Sequence, residues 1–431
     1  MHVVREDERR GGRVGAGVLG IDPGLLQTIA DRVGTPAYVY SANLIRAQYH
    51  ALDDALQEIK HRICYSVKAN GNLGVLRVLK QLGAGADIVS VGELRRVLAA
   101  GFDPDGIVFS GVGKTPAELE ESIRAGVGFI NVESTSELDT LFAVAKNVKK
   151  PANVGIRVNP DVATETPHPY TRTGEKTTKF GVPFDEVVAV GSRIAAEPLL
   201  RLRGLAMHIG SQITDVAPYH RGTVKLLELV SALRASGINT LEALDVGGGL
   251  GVRYHNEKAP APKAFADAVV PAVKAAGLGL LCEPGRFLVA NAGVLLTKAL
   301  YRKHAGGKDF VIVDAGMSDF VRPSHYNAHH EIVPLKDGKR GEEVVSIVGP
   351  ICESGDFLAL DRKMPVILPG EAMAVLGTGA YGFVMSSTYN QRPRPPEVVV
   401  EGDRYFVSRP RETLEDLLRG ETAEPTTWYK A

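Results

Sequence analysis

Residues 62–110 read RICYSVKANGNLGVLRVLKQLGAGADIVSVGELRRVLAAGFDPDGIVFS. Arg62–Val67, Asp87–Ser90 and Ile107–Ser110 are short, apolar and rich in β-branched residues, as buried strands are. Between them, Leu73–Leu82 and Gly92–Ala100 carry their apolar residues three and four apart, as a helix with one buried face requires. The alternation continues downstream. Gly128–Val132, Asn153–Val158, Gly204–Ile209, Leu244–Val246 and Gly279–Glu283 read as further strands, and Pro116–Ala125, Ser136–Asn147, Val187–Ala196, Tyr219–Ala235 and Lys263–Ala276 as intervening helices. Strands separated by helices need crossover connections and so form a parallel sheet. Eight such strands in a row predict an α/β fold with a closed (β/α)8 TIM-type barrel. An open doubly wound sheet is the alternative that pattern alone leaves standing.

After Phe287 the pattern changes. Val294–Arg302, Phe310–Asp314, Glu343–Val348, Ala372–Leu376 and Glu397–Val407 are short and β-rich, and helical spacing returns only at Thr413–Leu418. Residues preceding the first barrel strand supply a helix and a strand, Ala37–Tyr40, to the same part. The expected organisation is a flexible tail over residues 1–15, a barrel over 45–287, and a β-rich (barrel or sandwich) domain assembled from 16–44 and 288–431. An apolar content of 44% and a charged content of 23% allow an ordinary core in each.

Lys plus Arg and Asp plus Glu balance at 50 each, so no charge excess draws the chain to nucleic acid or an anionic membrane, and neither is expected as a partner. Cys64, Cys282 and Cys352, without a CxxC pair, argue against a disulfide framework and for a reducing compartment, the cytoplasm. The N-terminus lacks the apolar run of a signal peptide, and no stretch is long and apolar enough to span a bilayer.

Lys68, Ser90, Arg157, His208, Gly247 and Glu283 stand at the C-terminal ends of the expected strands, the rim on which barrels build active sites. A lysine at a strand end is commonly a solvated surface group. On the inner rim of a barrel Lys68 can be partly desolvated, which lowers its pKa and frees the amine to form a Schiff base. Gly247-Gly248-Gly249 either offers bare N–H groups to an anion such as phosphate or makes a plain tight turn. Glu283-Pro284-Gly285-Arg286 is either a surface ion pair or an acid placed to hold a pyridine nitrogen protonated. His208 is either a structural histidine or a flat face for stacking, and Ser211 beside it could donate to a phosphate. In Gly349–Asp356, the Cys352 thiol lies beside acidic groups and should stay protonated, which suits a proton donor better than a nucleophile. Two patterns are set aside. Gly111–Thr115 has the look of a P-loop, but Val108 stands where that motif needs glycine. His325, His329 and His330 have no cysteine or carboxylate at zinc spacing, so no metal is expected.

From about Thr35 to about Val400, and in this order, these segments resemble the fold-type III pyridoxal-phosphate-dependent decarboxylases, alanine racemase-like barrels with a β-rich second domain. Tyr65–Asn70, Gly85–Leu94, His208–Gln212, the triple glycine, Glu283–Arg286 and Cys352–Asp356 fall where the family has its motifs. Within the family the chain is most similar to the diaminopimelate decarboxylases. Three segments carry this: Val158–Asp161 with His168-Pro169-Tyr170, Thr173-Gly174 and Lys179–Gly181; Asp314–Asp319 with Arg322-Pro323 and Tyr326; and Cys352-Glu353-Ser354.

The resemblance implies a pyridoxal 5'-phosphate enzyme that converts a small amino acid, meso-2,6-diaminopimelate, to L-lysine and carbon dioxide. Decarboxylation of another basic amino acid, of the ornithine, arginine or carboxynorspermidine type, is the alternative. It implies Lys68, His208, Glu283 and Cys352 as catalytic residues. The cofactor would be held by Lys68, Asp87, His208, Ser211, Gly248, Gly249, Glu283, Pro284, Gly285, Arg286 and Tyr381, and the substrate by Arg286, Arg322, Tyr326, Glu353 and Tyr381. It also implies a homodimer in which Cys352 and Glu353 reach the neighbouring subunit's site.

Overall fold

The computed structural model describes residues 20–164, 166–168, 173–174, 178–336, 338, 340–423 and 427. The expected N-terminal tail and the motif residues Pro169 and Tyr170 lie outside the described residues. The chain forms two compact units. One comprises Ser41–Gly293 and Gly379–Val384; the other comprises residues 20–40, Val294–Thr378 and the described residues from Met385 on.

The first unit is a closed barrel. Its strands are His61–Ser66, Gly85–Ile88, Ile107–Phe109, Phe129–Val132, Ala152–Asn159, Leu200–Ala206, Ala243–Asp245 and Gly279–Cys282. Each pairs in parallel with the next, and Gly279–Cys282 pairs back onto His61–Ser66, with Leu280 opposite His61 and Cys282 opposite Ile63. That last pairing removes the open-sheet alternative. Cys64, Val108, Phe129, Ala243 and Leu281, drawn from five different strands, meet in one buried cluster, as inward-pointing barrel side chains do. Local signals start and stop the helices. Thr115 and Glu118 form a capping box at the head of Pro116–Ala125, and Gly126 ends it in the left-handed region. The lysine of the P-loop-like stretch is consumed internally: Lys114 Nζ donates to Gly111 O, Asn131 O and Glu137 Oε1. Among the described residues, no helix is long and apolar enough to cross a membrane.

The second unit is built on a sheet of nine strands: Ala37–Ser41, Gly293–Ala305, Lys308–Val313, Ile332–Pro334, Glu342–Val348, Phe357–Pro365, Ala372–Leu376, Glu397–Glu401 and Arg404–Arg409. Helix Pro23–Arg32 buries Leu26 and Ile29 against Val39, Val294, Leu296 and Val398 of that sheet. Two of its strands escape the sequence reading, and a third element is divided. Phe357–Pro365 is an edge strand in the pairing order, with Leu360 exposed and Asp361-Arg362-Lys363 at its centre, so backbone pairing rather than an apolar run defines it. Ile332–Pro334 is too short to show a period. Glu397–Val407 is a hairpin turning at Gly402, whose φ of +65° favours glycine.

Asp319 is buried in this unit, and its Oδ2 accepts from the Gly316 N–H at 2.8 Å. Burial pushes its carboxyl up to about 6. The folded state therefore favours the protonated acid. The stability this contributes is complete below the ordinary aspartate value and is lost as pH rises through about 6. Asp319→Asn keeps an acceptor for Gly316 and never ionises. It should raise stability at pH 8 by up to about 3 kcal/mol, with a gain that shrinks as pH falls toward 4. Thermal midpoints at pH 8 and pH 5 check this; an equal gain at both would contradict it.

Candidate active site

Strand His61–Ser66 runs into a 3-10 turn, Val67–Ala69, which places Lys68 at the C-terminal rim of the barrel. The turn is tied down on both sides: Tyr381 N–H donates to Ala69 O at 2.8 Å, and Asn70 Nδ2 donates to Gly379 O at 2.9 Å. Lys68 Nζ donates to Oδ2 of the fully buried Asp87 at 2.5 Å. Ser66 Oγ lies 2.7 Å from the same oxygen and 2.8 Å from Glu283 O. Asp87 Oδ1 has no hydrogen-bond partner. The expectation that desolvation frees the lysine needs correction. Burial does work against the ammonium, but the neighbouring acids, the Asp87 carboxylate foremost, outweigh it, and the Lys68 pKa is raised. Glu93, whose Oε2 caps the Val89 N–H at 2.7 Å, is a further acid near Lys68, and burial pushes it up to about 7.

Glu283 and Asp245 are both buried at the ends of adjacent strands, where Leu281 pairs with Asp245. Asp245 Oδ1 accepts from Gly247 N–H at 2.9 Å, whereas the buried Oδ2 has no hydrogen-bond partner. The Asp245 and Glu283 side chains are close enough to shift each other's titration, two buried acids side by side. Burial raises the Glu283 pKa far above the usual carboxylate range, and Asp245 and Asp87 raise it further. Burial thus favours a protonated carboxyl in this pair.

His208 Nδ1 accepts from the Gly248 N–H at 3.3 Å, which puts the ring proton on Nε2 and leaves the imidazole neutral. Burial, Arg157 and Lys68 all hold its pKa down. Arg157 is held in turn by buried Glu133 at 2.9 Å. At the glycine turn, Gly247 and Gly249 have φ of +73° and +95°. A Cβ on Gly248 would lie 2.0 Å from Glu283 O, and one on Gly249 would lie 2.1 Å from Gly210 O. Only glycines let the turn press this close. Beside it, Arg286 donates to Ser211 Oγ at 3.1 Å and to Tyr254 OH at 2.8 Å, and its guanidinium lies 4.7 Å from the Tyr381 ring. Gly285 and Pro284 pack on the lysine turn: a Cβ on Gly285 would meet Ser66 and Ala69 at 2.9 Å, and Pro284 O accepts from Ser66 N–H.

The barrel unit therefore brings together Lys68, Asp87, His208, Ser211, Gly248, Gly249, Glu283, Pro284, Gly285, Arg286 and Tyr381. They offer an amine, a proton-holding acid, a flat neutral ring and a cationic, hydroxyl-lined cradle. These are the groups an aromatic aldehyde bearing a ring nitrogen and a phosphate requires, and the residues fit pyridoxal phosphate.

The second unit carries Arg322, Tyr326, Cys352 and Glu353. Arg322 is buried on the short helix Arg322–Tyr326, with Tyr326 half-buried at its end. Cys352 and Glu353 are exposed on a loop that Asp356 organises: its two oxygens accept from Met317 N–H and Ile351 N–H, each at 2.6 Å. Cys352 N–H donates to Asn390 Oδ1 at 2.9 Å, and Glu353 accepts from Tyr389. Asp245, Tyr254, Asp356 and Asn390 received no role from the sequence. Asp356 closes a quoted motif, and Asp245 immediately precedes Val246 and the triple glycine, so both stood beside a usable signal. Tyr254 and Asn390 sit in unpatterned segments that gave none.

Residues 42–290 match the model of the pyridoxal-dependent decarboxylase family's pyridoxal-binding domain. The chain is 49% identical over 400 residues to a diaminopimelate decarboxylase of Pseudomonas aeruginosa, covering 93% of this chain and 96% of the relative. The crystal structure of diaminopimelate decarboxylase from Helicobacter pylori complexed with L-lysine superimposes with a TM-score of 0.88 at 40% identity, covering 91% of this chain and 98% of that one. The M. jannaschii diaminopimelate decarboxylase in complex with L-lysine gives 0.88 at 36% identity, covering 94% and 95%. With its barrel domain matched by the family model and relatives matched over nine-tenths of its length, the chain belongs to the pyridoxal-dependent decarboxylase family, alongside the diaminopimelate decarboxylases.

Proposed function

We propose that the protein decarboxylates meso-2,6-diaminopimelate to L-lysine, holding pyridoxal phosphate on Lys68. The observation that carries this is the Lys68–Asp87 pair on one rim with the proton-holding Glu283 and the Arg286–Ser211 cradle, in a chain nearly half identical to a diaminopimelate decarboxylase. Bound pyridoxal phosphate supplies a sink for the electron pair left at the α-carbon when the carboxylate departs as carbon dioxide. Glu283 keeps a proton at the ring nitrogen, which deepens that sink. Asp87 holds the Lys68 amine in place, and the neutral His208 ring would offer the cofactor a flat face. Ser211, Gly249, Arg286 and Tyr381 bind the phosphate, with Gly248 giving the turn its close approach and Pro284 and Gly285 seating Arg286. Cys352 returns a proton to the α-carbon. At the far end of the substrate, Arg286 and Arg322 take the second carboxylate, Tyr326 adds a hydroxyl, and Glu353 takes the second ammonium.

Glu353→Gln removes the charge opposite that ammonium and leaves the barrel unit untouched. It should lower kcat/KM for diaminopimelate about 10- to 100-fold with cofactor content unchanged. Loss of cofactor in this variant would count against the assignment. The exposure of Cys352 and Glu353 supports a homodimer in which each copy completes its partner's site; a fully active monomer in sedimentation would refute it. The unpaired Cys64, Cys282 and Cys352 support a cytoplasmic setting. Selectivity is tested by comparing kcat/KM for meso-diaminopimelate, ornithine and arginine: only a substrate with a second carboxylate should turn over well.

A further inference from the structure

His330 is fully buried in the second unit, and both ring nitrogens are engaged. Nδ1 lies 2.8 Å from Leu376 O, and Nε2 lies 3.2 Å from Arg322 Nη1. A carbonyl oxygen only accepts, so Nδ1 carries the ring proton. Nε2 is then a lone pair, and the Arg322 guanidinium donates to it. A second proton on the ring would leave Nε2–H facing a guanidinium, so the contact holds only for the neutral imidazole. Phe320 meets the ring edge-on, with centroids 4.7 Å apart and an interplanar angle of 79°. Rotation of the imidazole is thus blocked by Leu376 and Phe320, and the direction of Arg322 is set by an acceptor that cannot move.

The chemistry of that acceptor matters. A carboxylate in the same place would form a bidentate ion pair with Arg322 and compete with an incoming carboxylate. A neutral imidazole takes one N–H and none of the charge at this contact. We propose that His330 is a positioning residue for substrate binding: as a neutral Nδ1–H imidazole it aims buried Arg322 at the carboxylate remote from the reacting carbon. This rests on the reading above that Arg322 binds that carboxylate.

The test uses the holoenzyme. His330→Phe keeps the ring's bulk and loses the acceptor; His330→Gln keeps an acceptor for Arg322 and a donor for Leu376. The Phe variant should raise KM for meso-diaminopimelate about tenfold with kcat within about twofold, and the Gln variant should stay within about threefold of the parent in both. Cofactor absorbance should be unchanged in both. Adding His330→Phe to Arg322→Ala should raise KM no further, because the two act as one unit. If Arg322→Ala leaves KM unchanged, the reading of Arg322 fails and the proposal with it. If Arg322→Ala raises KM but His330→Phe does not, or if Gln and Phe behave alike, the role of His330 alone is overturned. A measurement without variants stands beside these: 15N chemical shifts of labelled histidine in the holoenzyme should report the Nδ1–H tautomer for His330, and an Nε2–H signal overturns the proposal.

Discussion

Lys68→Ala should abolish turnover, lowering kcat by about 10,000-fold or more, because no positioned group replaces the amine that holds the cofactor. The loss is chemical before it is structural. Lys68 sits in a turn tied by the Tyr381 and Asn70 hydrogen bonds, neither of which involves its side chain. The barrel should therefore stay folded. It should not be unharmed, since Asp87 is fully buried and loses its cation while Glu283 loses the charge that restrains its pKa. Breaking a buried pair costs about 3–5 kcal/mol, and the cost here should be smaller, about 1–3 kcal/mol, because the lysine side chain is 32% exposed. Lys68→Arg should be as inactive as alanine while recovering most of that stability, because a guanidinium pairs with Asp87 but does not lose its proton. Turnover, the visible absorbance of lysine-bound cofactor and thermal midpoints separate these effects. Activity within tenfold of the parent in either variant would remove Lys68 from the mechanism.

The second large effect is at Gly248. An alanine Cβ would lie 2.0 Å from Glu283 O, a contact between backbone-fixed atoms that no rotamer relieves. The turn or the strand end must move. Either movement displaces Glu283 and breaks the Gly248 N–H contact that sets the His208 tautomer. Gly248→Ala should lower stability by about 3 kcal/mol or more and weaken cofactor binding in parallel. Gly113 provides the control: it has nothing within 4 Å of an added Cβ and no left-handed φ, so Gly113→Ala should stay within about 0.5 kcal/mol of the parent. Calorimetry with a cofactor titration reads both. A Gly248→Ala protein with parental stability and affinity would show that the close approach is not needed.

How much of this was legible depended on the range of the interaction. Barrel strands are buried on both faces, so Arg62–Val67 or Ile107–Ser110 show as near-continuous apolar runs, and all eight were placed. Pro116–Ala125 and Val187–Ala196 have in the structure the bounds that apolar spacing predicts. The rim residues followed, because a parallel barrel puts strand ends on one face. The β-rich unit was harder. Its edge strand Phe357–Pro365 has one paired side and a charged centre, so no period betrays it. What could not be read were contacts between positions far apart in the chain. Asn390 meets Cys352 across 38 positions, and Tyr254 meets Arg286 across 32. The sign of the Lys68 shift also lay beyond reach, because it turns on where Asp87 and Glu283 point. In the sequence His330 stands out only as one of three neighbouring histidines, whereas the fold turns it into a partner for Arg322 eight residues away.

The most direct test of the central claim is to incubate the purified protein with pyridoxal phosphate and meso-diaminopimelate and to quantify carbon dioxide and L-lysine together. One molecule of each per molecule of substrate consumed is the predicted result. Cofactor bound on Lys68 with no carbon dioxide released from diaminopimelate, or release from ornithine or arginine alone, would contradict it.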